Sequence, residues 1–395
     1  MRGMALYLWQ SPDWPRWQHD AAALQPVLSR VRLAQGRMLG LAGQLDLVAL
    51  GELQLQGWAD EAIATAQIEG EVLQVNSVRA SAARRLGLDG ARPHARDART
   101  EATLELLQAA AQHGAQPLDA ETLHGWHAAL FPTGFSGMHR IVVGDWRQHA
   151  EPMQIVTPRI GKPDLVHYEA PPSAAVPDLM AALLAWFHQT LPQEGAAPVL
   201  DGVVRAGLVH LWFETIHPYE DGNGRVGRAL AELALAQDLQ NAQRLSSLSQ
   251  QLWADRAGYY AQLQAATGRA DLDVTPWLLW FAGCVERACD TATAHMQAAL
   301  ALRRWWAEAQ ARLPQLSSSQ RKVLARLHSA GPDGFLGGMT TEKYVKLTGV
   351  SRATAWRELD ELLERQLLVR SGQGRGTRYA LDFELKPVTG GASDD

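Results

Sequence analysis

This sequence has few cysteines, no long apolar runs and no excess of positive charge. Its two cysteines, Cys284 and Cys289, have no spacing typical of zinc or redox sites, so we expect buried thiols in a reducing compartment. No apolar run approaches the length of a membrane span, and the apolar stretch at the N-terminus is too short for a signal peptide. The net charge of −5 implies neither nucleic acid nor a membrane as a global partner. These absences predict a cytoplasmic protein.

The length of 395 residues is sufficient for two or three domains, each with its own core. Near the N-terminus, aromatic side chains alternate with prolines, and no basic cluster accompanies them. We therefore expect them to pack over neighbouring helices and not to stack on bases. These aromatic residues are Tyr7, Trp9, Trp14 and Trp17. Helical patterns follow over residues 18–56, 58–84 and 99–112.

One short stretch, residues 216–228, concentrates polar side chains between two apolar segments. Before it, apolar residues such as Val204, Leu208 and Leu211 recur at spacings of three and four, and this pattern stops at Pro218. After it, a second apolar run begins at Val226. The stretch is therefore predicted to be a tight loop between two helices.

The side chains of this loop suit a nucleotide polyphosphate. Gly222 and Gly224, at the start of the second helix, allow backbone N–H groups to face an anion. Arg225 adds positive charge for phosphate oxygens, and Asp221 is the carboxylate best placed to hold Mg²⁺ against them. His217 has an ordinary pKa near neutrality and can take a proton from an attacking hydroxyl. The loop thus predicts phosphoryl or nucleotidyl transfer.

Residues 217–228 resemble the pattern of the Fic family, His-Pro-Phe-x-Asp/Glu-Gly-Asn-Gly-Arg-x-x-Arg. They match every defined position except Tyr219, where Phe is usual. Tyr keeps the anchoring ring, and little consequence is expected if its hydroxyl finds a partner. The resemblance implies transfer of AMP from ATP to a Ser, Thr or Tyr hydroxyl of a protein, with release of pyrophosphate. The Doc branch transfers phosphate and has Lys in place of Gly224, so the small residue here favours AMP transfer.

The resemblance also implies a role for each polar group of the loop. His217 is the general base, and Asp221 is the Mg²⁺ ligand. The α-phosphate is held by the Asn223 side chain and by the neighbouring glycine amides, and Arg225 contacts the β- and γ-phosphates. The implied ATP-binding residues of the loop are Gly222, Asn223, Gly224, Arg225 and Arg228.

A second motif lies within the second predicted helix, where Thr65, Glu69 and Gly70 match Ser/Thr-x-x-x-Glu-Gly/Asn. Read by itself, Glu69 is a solvated helical glutamate. In the Fic family this motif marks an inhibitory helix, whose glutamate pairs with the second arginine of the loop, here Arg228, and obstructs the γ-phosphate of ATP. An anion at that place neutralises a charge that the triphosphate needs and also repels it. The resemblance therefore implies self-inhibition by Glu69.

Two further segments are compared with the family. Residues 164–172 have the β-branched and aromatic content of a hairpin. In Fic proteins the equivalent hairpin, the flap, holds the target backbone as an added strand. A plain surface hairpin remains an alternative. The predicted flap residues are Val166, His167 and Tyr168.

Tyr259 and Tyr260 resemble part of the helix that closes the adenine pocket of the family, with Thr267 at a position where Asn is often seen. Packing of both rings in the core is the alternative interpretation. The preference for adenine is therefore less well defined by the sequence than the binding of phosphate.

The C-terminal region resembles a winged helix. Two predicted helices meet at a turn containing Gly349, Ser351 caps the second of them, and a hairpin follows over 367–381. Lys and Arg outnumber Asp and Glu eleven to seven over 321–382, but acidic residues beginning at Glu358 crowd the helix expected to read DNA. Winged helices also bind proteins or form dimers, so DNA, a docked protein and a second copy of the chain all remain as partners.

The predicted fold class is mainly α, with a Fic-type helical core, a small β-hairpin flap and a winged helix. The expected domains are an N-terminal helical domain at 1–95, the catalytic core at 96–315 and the winged helix at 316–383, followed by a disordered tail at 384–395. The predicted function is Mg²⁺-dependent, self-inhibited transfer of AMP to a target protein and to the enzyme itself. Two alternatives stay open: a nucleic-acid-binding regulator that senses nucleotide, and a hydrolase in which Glu69 orients a water to remove AMP.

Overall fold

A computed structural model of the chain describes residues 7–88, 96–114, 116–157, 159, 163, 165–193, 195, 197–240, 244–329, 335 and 337–383. Helices dominate these residues and the strands are few and short, which confirms the predicted mainly α class. The chain divides into two compact units, residues 1–296 and 297–395. This division falls within a long helix and so precedes the boundary at 316 that was expected from the sequence.

The first unit contains most of the elements. Its helices are α1 (Ala21–Ala42), α2 (Leu47–Ile68), α3 (Val75–Arg85), α4 (Ala98–His113), α5 (Ala120–Leu130), α6 (Val176–Gln189), α7 (Gly202–Ile216), α8 (Asn223–Leu239), α9 (Leu248–Ala254), α10 (Arg256–Thr267) and the first part of α11 (Thr275–Arg312). Its strands form two antiparallel ladders, β1 (Phe135–Ser136) with β2 (His139–Arg140), and β3 (Gln154–Thr157) with β4 (Leu165–Glu169).

Helices α7 and α8 pack against each other in the centre of this unit. Every residue of α7 except Glu214 is buried, so α7 has apolar neighbours on all sides. Helix α8 buries its N-terminal half, including the side chains of Arg225 and Arg228. The loop that joins α7 to α8 is therefore held at both ends by the most buried helices of the unit.

The two long N-terminal helices predicted over 18–56 and 58–84 are wrong in their boundaries, because three helices occupy this region. Helix α1 ends before Gly43, and Asp46 starts α2 by accepting a hydrogen bond from the Ala49 N–H at 2.8 Å. Helix α2 ends at Ile68 because Gly70 adopts a φ of +80°. The apolar periodicity continues through both breaks, which hides them from a pattern-based prediction.

The aromatic residues near the N-terminus pack as expected. The rings of Trp14 and Trp17 lie edge-on to Trp212 of α7, with centroids 6.1 and 5.8 Å away. The Tyr7 ring lies edge-on to Tyr168 of β4 at 5.3 Å. This segment therefore covers the end of α7 and the adjoining strand.

The second unit has the order of elements expected for a winged helix. It contains the rest of α11, the helices α12 (Ser318–His328), α13 (Thr341–Thr348) and α14 (Arg352–Glu364), and the antiparallel strands β5 (Leu368–Ser371) and β6 (Arg378–Leu381). Gly349, with a φ of +79°, ends α13, and the Ser351 hydroxyl caps α14 by accepting from the Thr354 N–H at 3.1 Å. The tail expected at 384–395 lies outside the described residues. None of the described helices is long and apolar enough to cross a membrane.

Candidate active site

The loop between α7 and α8 contains two residues with positive φ angles, a conformation that is uncommon in proteins. His217 ends α7 in the left-handed region, with φ 52° and ψ 60°, and its N–H still donates to the Phe213 carbonyl at 2.9 Å. Gly222 precedes α8 with a φ of +80°. Pro218 follows His217 and cannot continue the helical hydrogen-bond pattern. The loop predicted from the sequence is therefore present, and His217 lies at its first position.

Hydrogen bonds to the backbone hold the loop in this shape. The Asn223 side chain donates to the Tyr219 carbonyl at 2.8 Å and accepts from the Tyr219 N–H at 2.9 Å. Arg147 donates to the carbonyls of His217 (2.8 Å) and Ile216 (3.3 Å). Asn223 was predicted to bind the α-phosphate through its side chain, but its amide is occupied in closing the loop. The side chain of Asn223 therefore holds the loop closed, and its role at the α-phosphate stays a prediction.

The ring of Tyr219 anchors the loop in the core. It is fully buried and stacks on the His127 ring, with centroids 4.0 Å apart and planes inclined by 4°. Its hydroxyl lies 3.3 Å from His124 Nδ1, so the hydroxyl that distinguishes this residue from Phe has a partner. Burial lowers the pKa of His127 to about 4, which keeps this imidazole neutral beneath the ring.

The first turn of α8 offers an anion site. Among the described residues no side chain caps this helix, and its first N–H groups have no acceptor within the helix. An added Cβ at Gly224 would collide with the Glu69 carboxylate and would lie 2.9 Å from Arg228 Nη1. Glu69 therefore lies directly over the α8 N-terminus, where the family resemblance places phosphate.

The predicted contact between Glu69 and Arg228 is present in the structure. Arg228 is 1% exposed and donates to Glu69 Oε1 at 2.7 Å, to the Thr65 hydroxyl at 2.8 Å and to the Thr65 carbonyl at 3.2 Å. Burial lowers the pKa of Arg228, but the carboxylates of Glu69 and Glu214 and the Tyr259 hydroxyl more than offset this and raise it above its ordinary value. The motif residues Thr65 and Glu69 thus share one buried guanidinium.

Arg225 is also paired, although the sequence predicted it to be ready for β- and γ-phosphates. Its Nη1 lies 3.2 Å from Glu71 Oε1, its Nη2 lies 3.8 Å from Asp221 Oδ1, and its guanidinium sits 5.1 Å from the Phe131 ring centroid. Glu71 follows Glu69 by two residues and was not singled out in the sequence. Both arginines of the loop therefore have carboxylate partners from the segment that ends α2.

Asp221 fits magnesium as a single ligand. Its side chain is 40% exposed, one oxygen accepts from the Gly222 N–H at 2.5 Å, and the other accepts from the Ser136 hydroxyl of β1. Among the described residues no three His, Cys, Asp or Glu side chains gather as a metal cluster. One half-exposed carboxylate suits a metal whose other ligands are phosphate oxygens and water. The donor set therefore fits magnesium that enters with a nucleotide.

A cavity of about 640 Å³ lies beside the loop. It brings together many of the residues predicted from separate motifs, and it extends under the flap. The predicted site residues that line it are Glu69, His167, Tyr168, His217, Gly224, Arg228, Tyr259 and Tyr260. The histidine predicted to be the general base, the start of α8 and the tyrosines predicted to bind the base therefore face one common space.

The flap is formed by β3 and β4, so the hairpin expected within 164–172 has its first strand further upstream, at Gln154–Thr157. Val166 is exposed and His167 is half-buried. The Tyr168 side chain is only 4% exposed and its hydroxyl donates to the Thr215 carbonyl at 2.5 Å, so its role in holding a target stays a prediction that concerns its backbone. Since side chains alternate along a strand, Tyr168 anchors the flap to α7 while its neighbours face outward.

The two tyrosines of α10 differ in their environment. Tyr259 is fully buried, and its hydroxyl lies 2.8 Å from Nε2 of the buried His210. Tyr260 is partly exposed, and its hydroxyl donates to the Ile68 carbonyl at the end of α2, at 3.1 Å. Thr267 is buried with its hydroxyl bonded to the Leu263 carbonyl. Tyr260 is therefore the more accessible ring for a base, and it also touches the segment that carries Glu69.

His217 has an unusual electrostatic environment. Burial lowers the pKa of its imidazole to about 4, and the Arg147 guanidinium acts in the same direction. Its Nδ1 lies 3.8 Å from Oε2 of Glu214, a carboxylate whose pKa burial raises to about 7. The sequence reasoning missed Glu214, although its position three residues before His217 on a helix was a usable signal.

The fold and the site together define a helical domain with an anion-binding loop and a facing histidine. Residues 117–235 match the Fic/DOC family. Residues 7–88 match a domain of unknown function, DUF4172. Residues 335–382 match the C-terminal domain of the DIP2311-like transcriptional regulators.

Known proteins resemble part of the sequence or the fold of this chain. A probable protein adenylyltransferase of Aquifex aeolicus is 35% identical over 81 residues, which cover 20% of this chain and 23% of that protein. A Fic family protein of Desulfovibrio desulfuricans has a similar fold, with a TM-score of 0.53 at 21% identity, over 93% of this chain and 98% of the other. A Fic domain-containing signaling protein of Bacteroides thetaiotaomicron has a TM-score of 0.50 at 18% identity, over 68% of this chain and 98% of the other.

Proposed function

We propose that this protein transfers AMP from ATP to a hydroxyl of a target protein and of itself. The observation that carries the proposal is the cavity in which His217 faces the uncapped start of α8 and Arg228. The relative from Aquifex aeolicus, a probable protein adenylyltransferase, supports the proposal. The absence of a side chain at Gly224 supports AMP transfer over phosphate transfer, since a lysine would occupy the place where the α-phosphate is expected.

The proposed reaction is a single displacement at the α-phosphorus. The hydroxyl oxygen of the target forms a bond to this phosphorus, the bond to the bridging oxygen breaks, and pyrophosphate leaves. His217 takes the hydroxyl proton, while the N–H groups of the first turn of α8 bind the α-phosphate oxygens. Arg225 and Arg228 bind the outer phosphates once their carboxylate partners release them. Magnesium held by Asp221 would neutralise phosphate charge.

From the same contacts we propose that the protein inhibits itself in the absence of substrate. Glu69 occupies Arg228 and lies over the α8 N-terminus, so it competes with the triphosphate for charge and for space. Glu71 occupies Arg225 in a similar way. Because Arg228 is buried and the Glu69 side chain is only 29% exposed, separating the pair has a larger energetic cost than separating a fully exposed ion pair. The segment must move before ATP binds productively.

This proposal predicts that Glu69→Gly increases ATP-dependent self-modification, since the variant loses both the competing charge and its bulk. The measurement is incorporation of label from α-labelled ATP into the purified full-length protein with Mg²⁺ present. The matched control is Glu52→Gln, an exposed glutamate on the same helix, which should behave as the wild type. Equal incorporation by Glu69→Gly and wild type would contradict inhibition by Glu69.

A second candidate function, DNA binding, is favoured by the surface of α14. Its N-terminal half exposes Arg352, Arg357 and Trp356, the last being 59% exposed. Glu358, which from sequence crowded this helix, is buried and accepts hydrogen bonds from Tyr344 (2.6 Å) and from two serines of the α12 start. The exposed half is therefore basic, as a helix that enters the major groove requires.

Fluorescence anisotropy with a random-sequence DNA duplex tests this second candidate on the full-length protein. We expect binding at low salt that weakens as salt increases, and we expect Arg352→Ala/Arg357→Ala to lower the slope of log affinity against log salt by about two. Arg365→Ala, at the other end of α14, is the control and should bind as the wild type does. Absence of binding at low salt would leave a protein partner or a second copy of the chain as the occupant of this surface.

A further inference from the structure

A buried carboxylate that the proposed reaction does not yet use lies directly behind His217. Glu214 is three residues earlier on α7, and its side chain is 10% exposed. Its Oε2 lies 3.8 Å from His217 Nδ1. Neither His217 Nδ1 nor Glu214 Oε1 has a hydrogen-bond partner among the residues that the structure describes. One oxygen of this carboxylate, Oε2, thus lies beside the unpartnered Nδ1, while the other, Oε1, has no hydrogen-bond partner.

The protein has a dedicated space for this carboxylate. A Cβ at Gly227 would lie 2.8 Å from Glu214 Oε1 and 3.2 Å from His210 Nδ1, so the glycine allows α8 to pass close to the carboxylate. Gly227 occupies one of the two variable positions before Arg228 in the loop motif, where the motif itself does not require glycine. Packing on Glu214 therefore explains why a small residue is needed here.

A buried carboxylate without full hydrogen bonding is destabilising unless a nearby group compensates for the lost hydration. The charged and titratable groups that face Glu214 come from all the elements packed around it: His210 and His217 of α7, Arg228 of α8, Glu69 at the end of α2, Tyr168 of β4 and Tyr259 of α10. Arg228 already pairs with Glu69. The imidazole of His217 is the group that Glu214 approaches without competition from another carboxylate at bonding distance.

We propose that Glu214 is a positioning residue: its carboxylate accepts a hydrogen bond from Nδ1–H of His217, so that Nε2 is free to take the proton of the attacking hydroxyl. The distance of 3.8 Å exceeds a hydrogen bond, and such contacts commonly shorten when substrate binds. After proton transfer the imidazole is cationic, and the carboxylate stabilises that cation. This inference rests on the proposed function for its catalytic consequence, but the contact itself does not depend on it.

The need for such a partner follows from the surroundings of His217. Burial and Arg147 both disfavour the imidazolium, whereas Glu69, Asp221 and the backbone carbonyl of Glu214 favour it. In the active state proposed above, Glu69 has moved away and Asp221 is engaged by magnesium. The carboxylate of Glu214 is then the anionic group that remains on the Nδ1 side.

Nitrogen NMR of histidine-labelled, full-length protein tests the contact directly, with the His217 signal assigned by its loss in His217→Ala. Because ionisation of Glu214 is expected near pH 7, the His217 ring shifts of the wild type should show a step there that Glu214→Gln lacks. This substitution leaves the backbone carbonyl of Glu214 unchanged. If the His217 ring shifts change with pH in the same way in the wild type and in Glu214→Gln, or if the wild type shows no step near pH 7, the inference is overturned. If the variant does not fold, the wild-type titration alone decides between these results.

Kinetics supply a second test in the Glu69→Gly background. Adding Glu214→Gln should lower kcat for AMP transfer by about ten-fold or more, leave the KM for ATP unchanged and remove the limb of the pH profile near 7. A change in KM alone would assign Glu214 a structural role and overturn the inference. If Glu69→Gly itself transfers no AMP, the proposed function fails, while the NMR titration still tests the contact.

Discussion

The sequence predicted some side-chain positions around the 217–228 loop and not others. The resemblance to the Fic family predicted that Glu69 would contact Arg228, and the structure contains this contact. It did not predict that Asn223 would turn inward to hold Tyr219, or that Tyr168 would anchor the flap. Both depend on which face of an element the core covers, and a list of residue types does not contain that information.

Glu214 gives a prediction about stability that is independent of any activity. Its pKa is raised from 4.5 to about 7 in the folded protein by burial, so the folded state binds this proton more tightly than the unfolded state does. The contribution of Glu214 to the free energy of unfolding is therefore fully present below pH 4.5, and it is lost as the pH rises to about 7. Glutamine does not ionise, so Glu214→Gln does not lose this stability as the pH rises. The Tm of the variant relative to that of the wild type should therefore rise between pH 4.5 and about 7 and then level off.

The measurement is thermal unfolding of both proteins at a series of pH values, with Glu52→Gln as the control. The free energy difference between Glu214→Gln and the wild type should change by about 1.4 kcal/mol for each pH unit inside the window. A difference that is constant with pH would mean that Glu214 is ionised with an ordinary pKa in the folded protein.

Helix ends were less accessible to prediction than helix interiors. The break after Ile68 places Glu69 and Glu71 in a turn, and this allows two carboxylates that are two residues apart to reach two arginines of α8. In a continuous helix they would point to different sides. The sequence pattern extended the helix past Gly70, so the second contact, between Glu71 and Arg225, could not be anticipated.

The end of α2 therefore predicts an effect of Glu71 in addition to that of Glu69. Glu71→Gln should increase the affinity for ATP several-fold in both the wild type and the Glu69→Gly variant, because it frees Arg225 for phosphate. Glu71 is more exposed than Arg225, so an effect of about 1 kcal/mol is expected. Isothermal titration calorimetry with Mg²⁺ and ATP measures it, and Glu52→Gln should leave the affinity unchanged. Weaker ATP binding by Glu71→Gln would contradict this role.

The β3–β4 flap could be predicted from the sequence only in part. Its second strand was found from β-branched and aromatic residues, but its first strand was missed, since residues 154–157 form a short segment that pairs with a partner beyond the intervening loop. Strand pairing is a non-local property. The sequence indicated that a flap exists and did not define its register.

The whole chain combines a helical unit containing the candidate site with a second unit that has the order of a winged helix. Both were predictable from sequence because each carries a dense local signature: the 217–228 loop in one case, and the Gly349 and Ser351 turn between two helices in the other. The boundary between the units was not, because it falls inside α11, and a continuous helix gives no compositional break.

The most direct test of the proposed function compares ATP labelled at the α-phosphate with ATP labelled at the γ-phosphate, using full-length Glu69→Gly protein and Mg²⁺. We predict that the α label becomes covalently attached to protein, that the γ label appears in pyrophosphate, and that His217→Ala in the same background abolishes attachment. Attachment of the γ label, or undiminished attachment of the α label without His217, would contradict transfer of AMP by this loop.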